Sequence, residues 1–421
     1  MKVIVVGSGL IGLTTAYCLA RRGCEVQVLD RQPGPGLETS FANGTLLTPS
    51  MCDPWNAPGC WKVLLGSLMR SDAPLQLRFK ALPSLAWWGL GFLKNSSVGR
   101  FQSNKLSNLR MALYSMRAMA ALLDEINLDF KPGTRGTLRI FRETAALEHA
   151  ASAGAELMPH GLSCRRLSVN ETIEVEPALE PISNQLAGAM HYATDQTGDA
   201  YAFCVELTAR ARAAGVEFLF GEEVRTLETT RGAITAVLSG ERRYVADRYV
   251  IAAGSYSVSL LAKVGVRLPM RPAKGYSVTV DSASGERPLH TPLVDDHLHA
   301  VVVPVANGVR VAGTAEFAGY DLSIQPTRIA TLQQLLRDVL PRFDFDPAHA
   351  RPWCGLRPMS VDGVPIIGTT PIDNLFVNTA HGHLGWTMAA GSAQLLVDQM
   401  CDRSPAIDPS PYRPARFVLA S

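Results

Sequence analysis

Three glycines near the start of the chain, Gly7, Gly9 and Gly12, have the G-x-G-x-x-G spacing that lets a backbone turn cradle a pyrophosphate. Gly7 permits the tight turn, Gly9 keeps a Cβ out of the path of the phosphate, and Gly12 lets the next helix pack closely on a strand. Asp30 follows eighteen residues beyond Gly12. Its carboxylate can accept hydrogen bonds from both hydroxyls of a ribose and would repel a 2′-phosphate. The motif by itself leaves NAD and FAD open.

A second glycine turn lies more than 350 residues later, in His381-Gly382-His383-Leu384-Gly385-Trp386-Thr387, between a strand-like run at 375–379 and a helix. A nicotinamide cofactor has little use for it. A flavin does, because its ring reaches far beyond the first motif, and its N1/C2=O edge gains negative charge on reduction that a helix N-terminus can stabilise. FAD is therefore the expected cofactor. Just upstream, the Asp362-Gly363 turn delivers a short strand, with Arg357 before it, toward the same end. No His/Cys/Asp/Glu cluster has metal-ligand spacing, so no metal is expected. Ser8, Ser40 and Ser255 lack a G-x-S-x-G context, which leaves a Ser/His/Asp hydrolase unsupported.

These residues need elements to position them. The β-branched run at 2–6 reads as a strand buried on both faces, followed by a helix over 13–22 closed by Gly23 and a second strand over 25–29. A helix is predicted over 107–127, with Leu109, Leu113, Met116, Ala120, Leu123 and Ile126 on its buried face, and a strand at 136–141. Nucleotide-domain patterning returns with a helix over 201–214, strands at 216–220 and near Val224, and a strand at 248–254 ending on glycine. Alternating runs at 276–280, 300–304 and 309–312 predict an antiparallel sheet, and 325–340 an amphipathic helix. The fold class is α/β. A discontinuous Rossmann-like domain is expected from 1–48, 196–264 and 352–421, and an antiparallel-sheet substrate domain from 49–195 and 265–351.

Composition agrees with a globular chain of two domains. The 421 residues exceed the roughly 250–300 at which a single core stops growing. A hydrophobic content of 47% with 19% charged residues describes a globular chain, and a net charge of +2 gives no reason to expect nucleic acid. Eight cysteines without a C-x-x-C pair read as reduced packing residues. With a strand beginning at once and no basic leader or cleavage site, the expected location is the cytoplasm.

An apolar insertion near 55–100 stands apart. The runs at 60–69 and 85–93 are too short to cross a bilayer, which takes roughly 18 apolar residues. Lys62, Arg70, Arg78, Lys80, Lys94 and Arg100 surround them. A basic rim beside an aromatic patch suits a peripheral contact with the anionic inner face of a cell membrane, and core packing is the competing reading.

Six motifs, in order along nearly the whole chain, resemble the small subunit of FAD-dependent D-amino acid dehydrogenases, a branch of the D-amino acid oxidase-like superfamily. They are the GSGLIG turn, 37–44 (LETSFANG), 196–199 (QTGD), 273–277 (AKGYS), 355–359 (GLRPM) and 381–386 (HGHLGW). The family loop after Asn43 often carries Ala-Gly where this chain has Gly44-Thr45-Leu46, so substrate or acceptor preference can differ.

The resemblance implies a substrate-facing set of Arg357, Tyr276 and His383. Arg357 would grip the planar carboxylate of an amino acid through two parallel hydrogen bonds and so hold Cα–H over flavin N5; capping of carbonyls or pairing with Asp362 is its structural alternative. Tyr276 would add a hydroxyl to that carboxylate, against plain sheet packing. His383, or His381 beside it, would meet flavin or substrate. The implied cofactor surface comprises Gly7, Gly9, Leu10, Gly12, Asp30, Arg31, Thr39, Ser40, Asn43, Gly44, Leu46, Val224, Ala253, Gly254, Gly355, Gly382, His383, Leu384, Gly385, Trp386 and Thr387. The expected reaction is hydride transfer from Cα of a D-amino acid to FAD, then hydrolysis of the imine to a 2-oxo acid and ammonium, with a quinone-type acceptor. A sibling acting on D-proline, hydroxyproline, glycine or sarcosine, with dioxygen as oxidant, is the nearest rival. A non-catalytic flavin-bearing subunit is a more distant one.

Overall fold

The computed structural model describes residues 1–62, 75–78, 81–126, 133–283, 285, 288–306 and 308–417. The elements that build the site are, in chain order, β1 (Lys2–Val6), α1 (Leu10–Arg21), β2 (Glu25–Asp30), α2 (Leu82–Lys94), α3 (Val98–Ile126), β3 (Glu217–Phe220), β4 (Arg248–Ile251), β5 (Met270–Asp281), β6 (Gly308–Phe317), β7 (Arg351–Ser360), β8 (Ile366–Thr369), β9 (Leu375–Thr379) and α4 (Gly385–Met400).

The first sheet has the order β8-β9-β4-β1-β2-β3 and is parallel except at its β8–β9 edge. Its central strands are buried on both faces, with Val3, Ile4 and Val5 at zero exposure, as the unbroken β-branched run predicts. The α1 face packs with α4 and α3 into one core of Leu13, Leu19, Met111, Met119, Leu395 and Leu396. Each such side chain is worth about 1.5–3 kcal/mol on burial.

The second sheet has the order β7-β5-β6, then 300–305, 293–295, 137–141, 188–192 and 164–167. It is antiparallel apart from Leu293–Asp295 beside Thr137–Phe141 and Leu75–Leu77 beside β6, both of which run parallel. A separate three-stranded sheet covers 224–244.

Two expected boundaries move. β7 pairs with β5 over ten residues from Met270–Ser360 to Thr279–Arg351, so 352–360 belongs to the second sheet and not to the Rossmann-like domain. The helix assigned to the substrate domain, α3, instead completes the Rossmann-side core, where the backbone of Ser115 would lie only 2.7 Å from a Cβ on Gly391. That close crossing also rotates the buried face of α3. Asn108, Met111, Ala112, Ser115, Met119 and Leu122 are buried beside the expected Leu109 and Ile126, while Ala120 is exposed. The predicted residue Asn127 lies outside the described residues.

Candidate active site

A cavity of about 1310 Å³ runs between the two sheets. It exceeds the roughly 300–1,000 Å³ typical of small-ligand sites, which suits a dinucleotide lying end to end with a second molecule.

One end is the first glycine turn. Gly7 sits at φ +109° with Ala252 O only 2.6 Å from where a Cβ would be, and a Cβ on Gly12 would meet Gly7 O at 1.9 Å. Only glycine fits either place. Gly9 precedes α1 with no side-chain cap, and the Leu10 N–H donates to Ser40 Oγ at 3.2 Å. Asp30 is held at the tip of β2: Oδ2 accepts from Ser8 N at 2.6 Å and Ser8 Oγ at 2.7 Å, and Oδ1 from Gln32 N at 2.8 Å. Arg31 lies 3.8 Å above the ring of Tyr256 and pairs with Glu38. Asp30, Arg31, Val224, Ala253 and Gly254 all line this end.

The opposite end is the second glycine turn, where Gly382, His383, Gly385 and Trp386 line the cavity; Thr39, Asn43, Gly44 and Leu46 line it as well, and Ser40 does so at the first turn. The first residue of α4 is Gly385, so the positive end of that helix opens onto the cavity. His381, 4% exposed, lines the cavity too, and its Nε2 is buried without a partner among the described residues. Burial lowers its pKa to about 3, so the ring is neutral. An orphaned polar atom at this depth costs free energy unless a ligand meets it.

Arg357, on β7, projects across Gly275 on the paired strand β5. It is partly buried and has no carboxylate partner among the described residues; its contacts are a long bond from Nη1 to Thr314 O, 3.5 Å, and the ring of Trp55, 5.7 Å from Cζ. Burial lowers its pKa to about 10, which leaves it a cation at neutral pH. Pairing with Asp362 does not occur, because Asp362 is bound to Arg416 at 2.8 Å. An unmatched guanidinium facing a cavity is an anion site.

Among the other expected site residues, Tyr276 lines the cavity, with its hydroxyl already engaged. Side chains alternate along β5, and its neighbour Gly275 lies under Arg357. The Tyr276 ring belongs to the core with Leu332 and Leu336, and its hydroxyl donates to Glu316 Oε2 at 2.7 Å. Burial and then that carboxylate push its pKa above the usual range. Lys274 Nζ stands 3.1 Å from the same Glu316, and Arg78 reaches the other carboxylate oxygen, so Arg78 points inward from the basic rim. His383 lines the cavity, with Nε2 bonded to Met51 O at 2.8 Å and its ring stacked on Trp55 at 5.8 Å. Burial lowers its pKa to about 4, and the nearby Arg357 adds to that.

Three residues of the expected cofactor surface do not line the cavity. Gly12 packs against Gly7, Leu384 is in the core, and Thr387 Oγ1 accepts from Thr48 N at 2.9 Å. Gly355 does line it, and the ring of Trp353 crosses where its Cβ would be. Trp55 and Thr314 went unnoticed in the sequence, since neither sits in a motif and both reach Arg357 only through the fold.

The chain matches the family model described as "FAD dependent oxidoreductase" over residues 2–399. It belongs to that family, the DAO family. Within it, a D-amino acid dehydrogenase of Sinorhizobium medicae (strain WSM419) is 40% identical over 417 residues, covering 99% of this chain and 100% of that protein. One from Rhodopseudomonas palustris (strain HaA2) is 38% identical over 408 residues, covering 97% and 96%. Among solved structures, glycine oxidase from Geobacillus kaustophilus superposes with a TM-score of 0.77 at 21% identity over 99% of each chain. L-Proline dehydrogenase from P. horikoshii gives 0.78 at 17% identity, covering 99% and 97%. Those two likenesses carry the fold. The DAO-family chain is therefore an FAD-dependent oxidoreductase of Rossmann-like α/β architecture, as the paired glycine turns imply. The site fits that cofactor: a glycine-walled turn at one end, an open helix N-terminus and an unsatisfied His381 at the other.

Proposed function

We propose that this protein oxidatively deaminates D-amino acids to 2-oxo acids and ammonium. The observation that carries the reading is Arg357, a cation on the cavity wall with no carboxylate partner among the described residues. Full-length identity of about 40% to proteins named D-amino acid dehydrogenase supports the substrate class. FAD, when bound, supplies the hydride acceptor for oxidation at Cα. Gly7, Gly9 and Asp30 would hold its pyrophosphate and ribose, and α4 would face its far end.

The chain's own groups do the rest. Arg357 takes the substrate carboxylate in a bidentate grip and fixes the direction of Cα–H. Trp55 and Trp353 wall the anchor, which excludes water and strengthens that ion pair. His381 and His383 stay neutral and add no charge to repel an amine.

The electrons leave, on this reading, to a quinone-type acceptor. No helix among the described residues is long and apolar enough to cross a membrane. The support lies in α2, which buries Leu85, Trp88 and Phe92 and leaves Trp87 84% and Leu90 62% exposed, with Lys94 in its last turn. The inner face is core packing, and the outer face is the one that supports a peripheral membrane contact. Arg70 and Lys80 lie outside the described residues, as does most of the run at 60–69.

The test is anaerobic bleaching of the purified yellow protein by D-alanine, set against L-alanine, glycine, sarcosine and D-proline. Reduction fastest with D-alanine, and reoxidation faster by a quinone analogue than by dioxygen, is expected. Preference for one of the secondary amines or for glycine would replace the proposal with a sibling activity.

A further inference from the structure

The strand β6 breaks its pairing with β5 at one residue, Thr314: Gly275 faces Ala315 and Tyr276 faces Gly313, so Thr314 is left over in the register. It sits at φ +54°, in the left-handed region that β-branched side chains avoid. Only one other β-branched residue, Thr45, has a positive φ among the described residues, and its hydroxyl is bonded to Gly44 O at 2.8 Å. Thr314 has no such compensation. Its Oγ1 is buried without a partner among the described residues, it lines the cavity, and its carbonyl is the backbone group beside the Arg357 guanidinium. Strain of about 1–3 kcal/mol and an unsatisfied buried hydroxyl therefore coincide within reach of the anion anchor.

We infer that Thr314 is the anchor for the substrate's amino group. Resting on the reading of Arg357 as the carboxylate anchor, it deepens that reading. On this assignment the Thr314 carbonyl, beside the guanidinium, and the unpartnered Thr314 hydroxyl both accept from the N–H bonds of the α-amine. Carboxylate and amine are then held at two separate points, and the hydrogen and side chain on Cα take the positions left to them. An acceptor pair of this kind recognises an amine and gives nothing to a carboxylic acid that lacks one.

The experiment compares Thr314→Val, which keeps shape and removes the hydroxyl, with Thr314→Ser, in the FAD-loaded protein. The dissociation constant of D-alanine is read from anaerobic stopped-flow flavin reduction, and that of propionate from its inhibition of the same reaction. T314V is expected to weaken D-alanine about tenfold, the loss of one well-placed hydrogen bond, and to leave propionate within about twofold. T314S is expected to restore D-alanine binding. Equal weakening of both ligands by T314V, or no change in either, overturns the assignment. Should T314V fail to retain FAD, Thr314→Gly relieves the positive φ and serves for the same comparison, with a higher melting temperature and the same selective loss expected; unchanged D-alanine binding there overturns the assignment as well. If D-alanine does not reduce the wild type, the proposed activity fails first, and the comparison is repeated with whichever amine does, against the acid lacking its amino group. Reduction by no amine removes both.

Discussion

The guanidinium of Arg357 lies directly over Gly275: a Cβ built on that glycine would stand 2.4 Å from Cζ and 2.5 Å from each terminal nitrogen. Gly275 has no need of an unusual φ, so its value is the space it leaves for the neighbouring strand's side chain. Opposite it, Gly355 gives the same room to Trp353. Two paired glycines make a shallow floor on which a cation can rest facing the cavity.

Gly275→Ala therefore displaces the carboxylate anchor without touching the FAD turns. The expected cost is about 1–3 kcal/mol of substrate binding, seen as a KM raised roughly 5- to 150-fold with FAD content unchanged. Loss of FAD along with substrate affinity would count against this account.

Arg357→Met removes a charge that no described carboxylate compensates. Its kcat/KM is expected to fall by about 2–5 kcal/mol, roughly 30- to several-thousand-fold. The melting temperature should hold or rise, because an unmatched cation at a protein wall destabilises the ligand-free fold. Propionate should raise the melting temperature of the wild type and leave that of the variant unmoved. Differential scanning fluorimetry with and without propionate measures both.

Acid should loosen the site before it unfolds exposed ion pairs. His381 and His383 have folded pKa values lowered by burial to about 3 and 4, against an unfolded value near 6.5. The unfolded chain binds more protons in that window, so stability falls as the pH drops below about 6.5 and stops falling only near the folded values. At about pH 5 each histidine contributes a loss of about 2 kcal/mol. Asp195, raised to about 6 by burial, works in the opposite sense and offsets part of it. His381→Asn should flatten the drop in melting temperature between about pH 7 and pH 5. A variant with the wild-type slope would show that His381 is not held neutral.

The outer face of α2 can be tested apart from catalysis. Trp87→Asp with Leu90→Glu removes the two most exposed large apolar side chains of that helix and adds negative charge beside Lys94. Binding to vesicles containing anionic lipid, followed by co-sedimentation, should fall about tenfold or more, while D-alanine oxidation with a soluble acceptor stays unchanged. Equal sedimentation of wild type and double variant would remove the membrane proposal.

Some of this protein can be read from local sequence because the constraint itself is local. A β-branched run of four buried residues forms a two-sided strand wherever it packs, and Gly12 answers a contact with Gly7 O within a single β-turn-α unit. The same holds for Asp199, whose carboxylate caps the helix Ala200–Ala213 by accepting from Tyr201 N and Ala202 N. Both ends of the cofactor cavity follow from such units. The family then follows from their order.

What a residue faces could not be read in this way. Tyr276 and Gly275 are adjacent in sequence, yet strand alternation sends one to Glu316 and lays the other beneath Arg357. The buried side of α3 depended on how closely Gly391 allows Ser115 to approach, and the place of β7 on a ten-residue pairing with β5. Thr314 acquired its role from a one-residue slip between strands. Composition and spacing determine which segments form strands, helices and phosphate turns, since those depend on neighbours within a few positions. The pairing of distant strands decides which side chains meet in the cavity, because register and crossing distance are set by contacts between residues far apart in the chain.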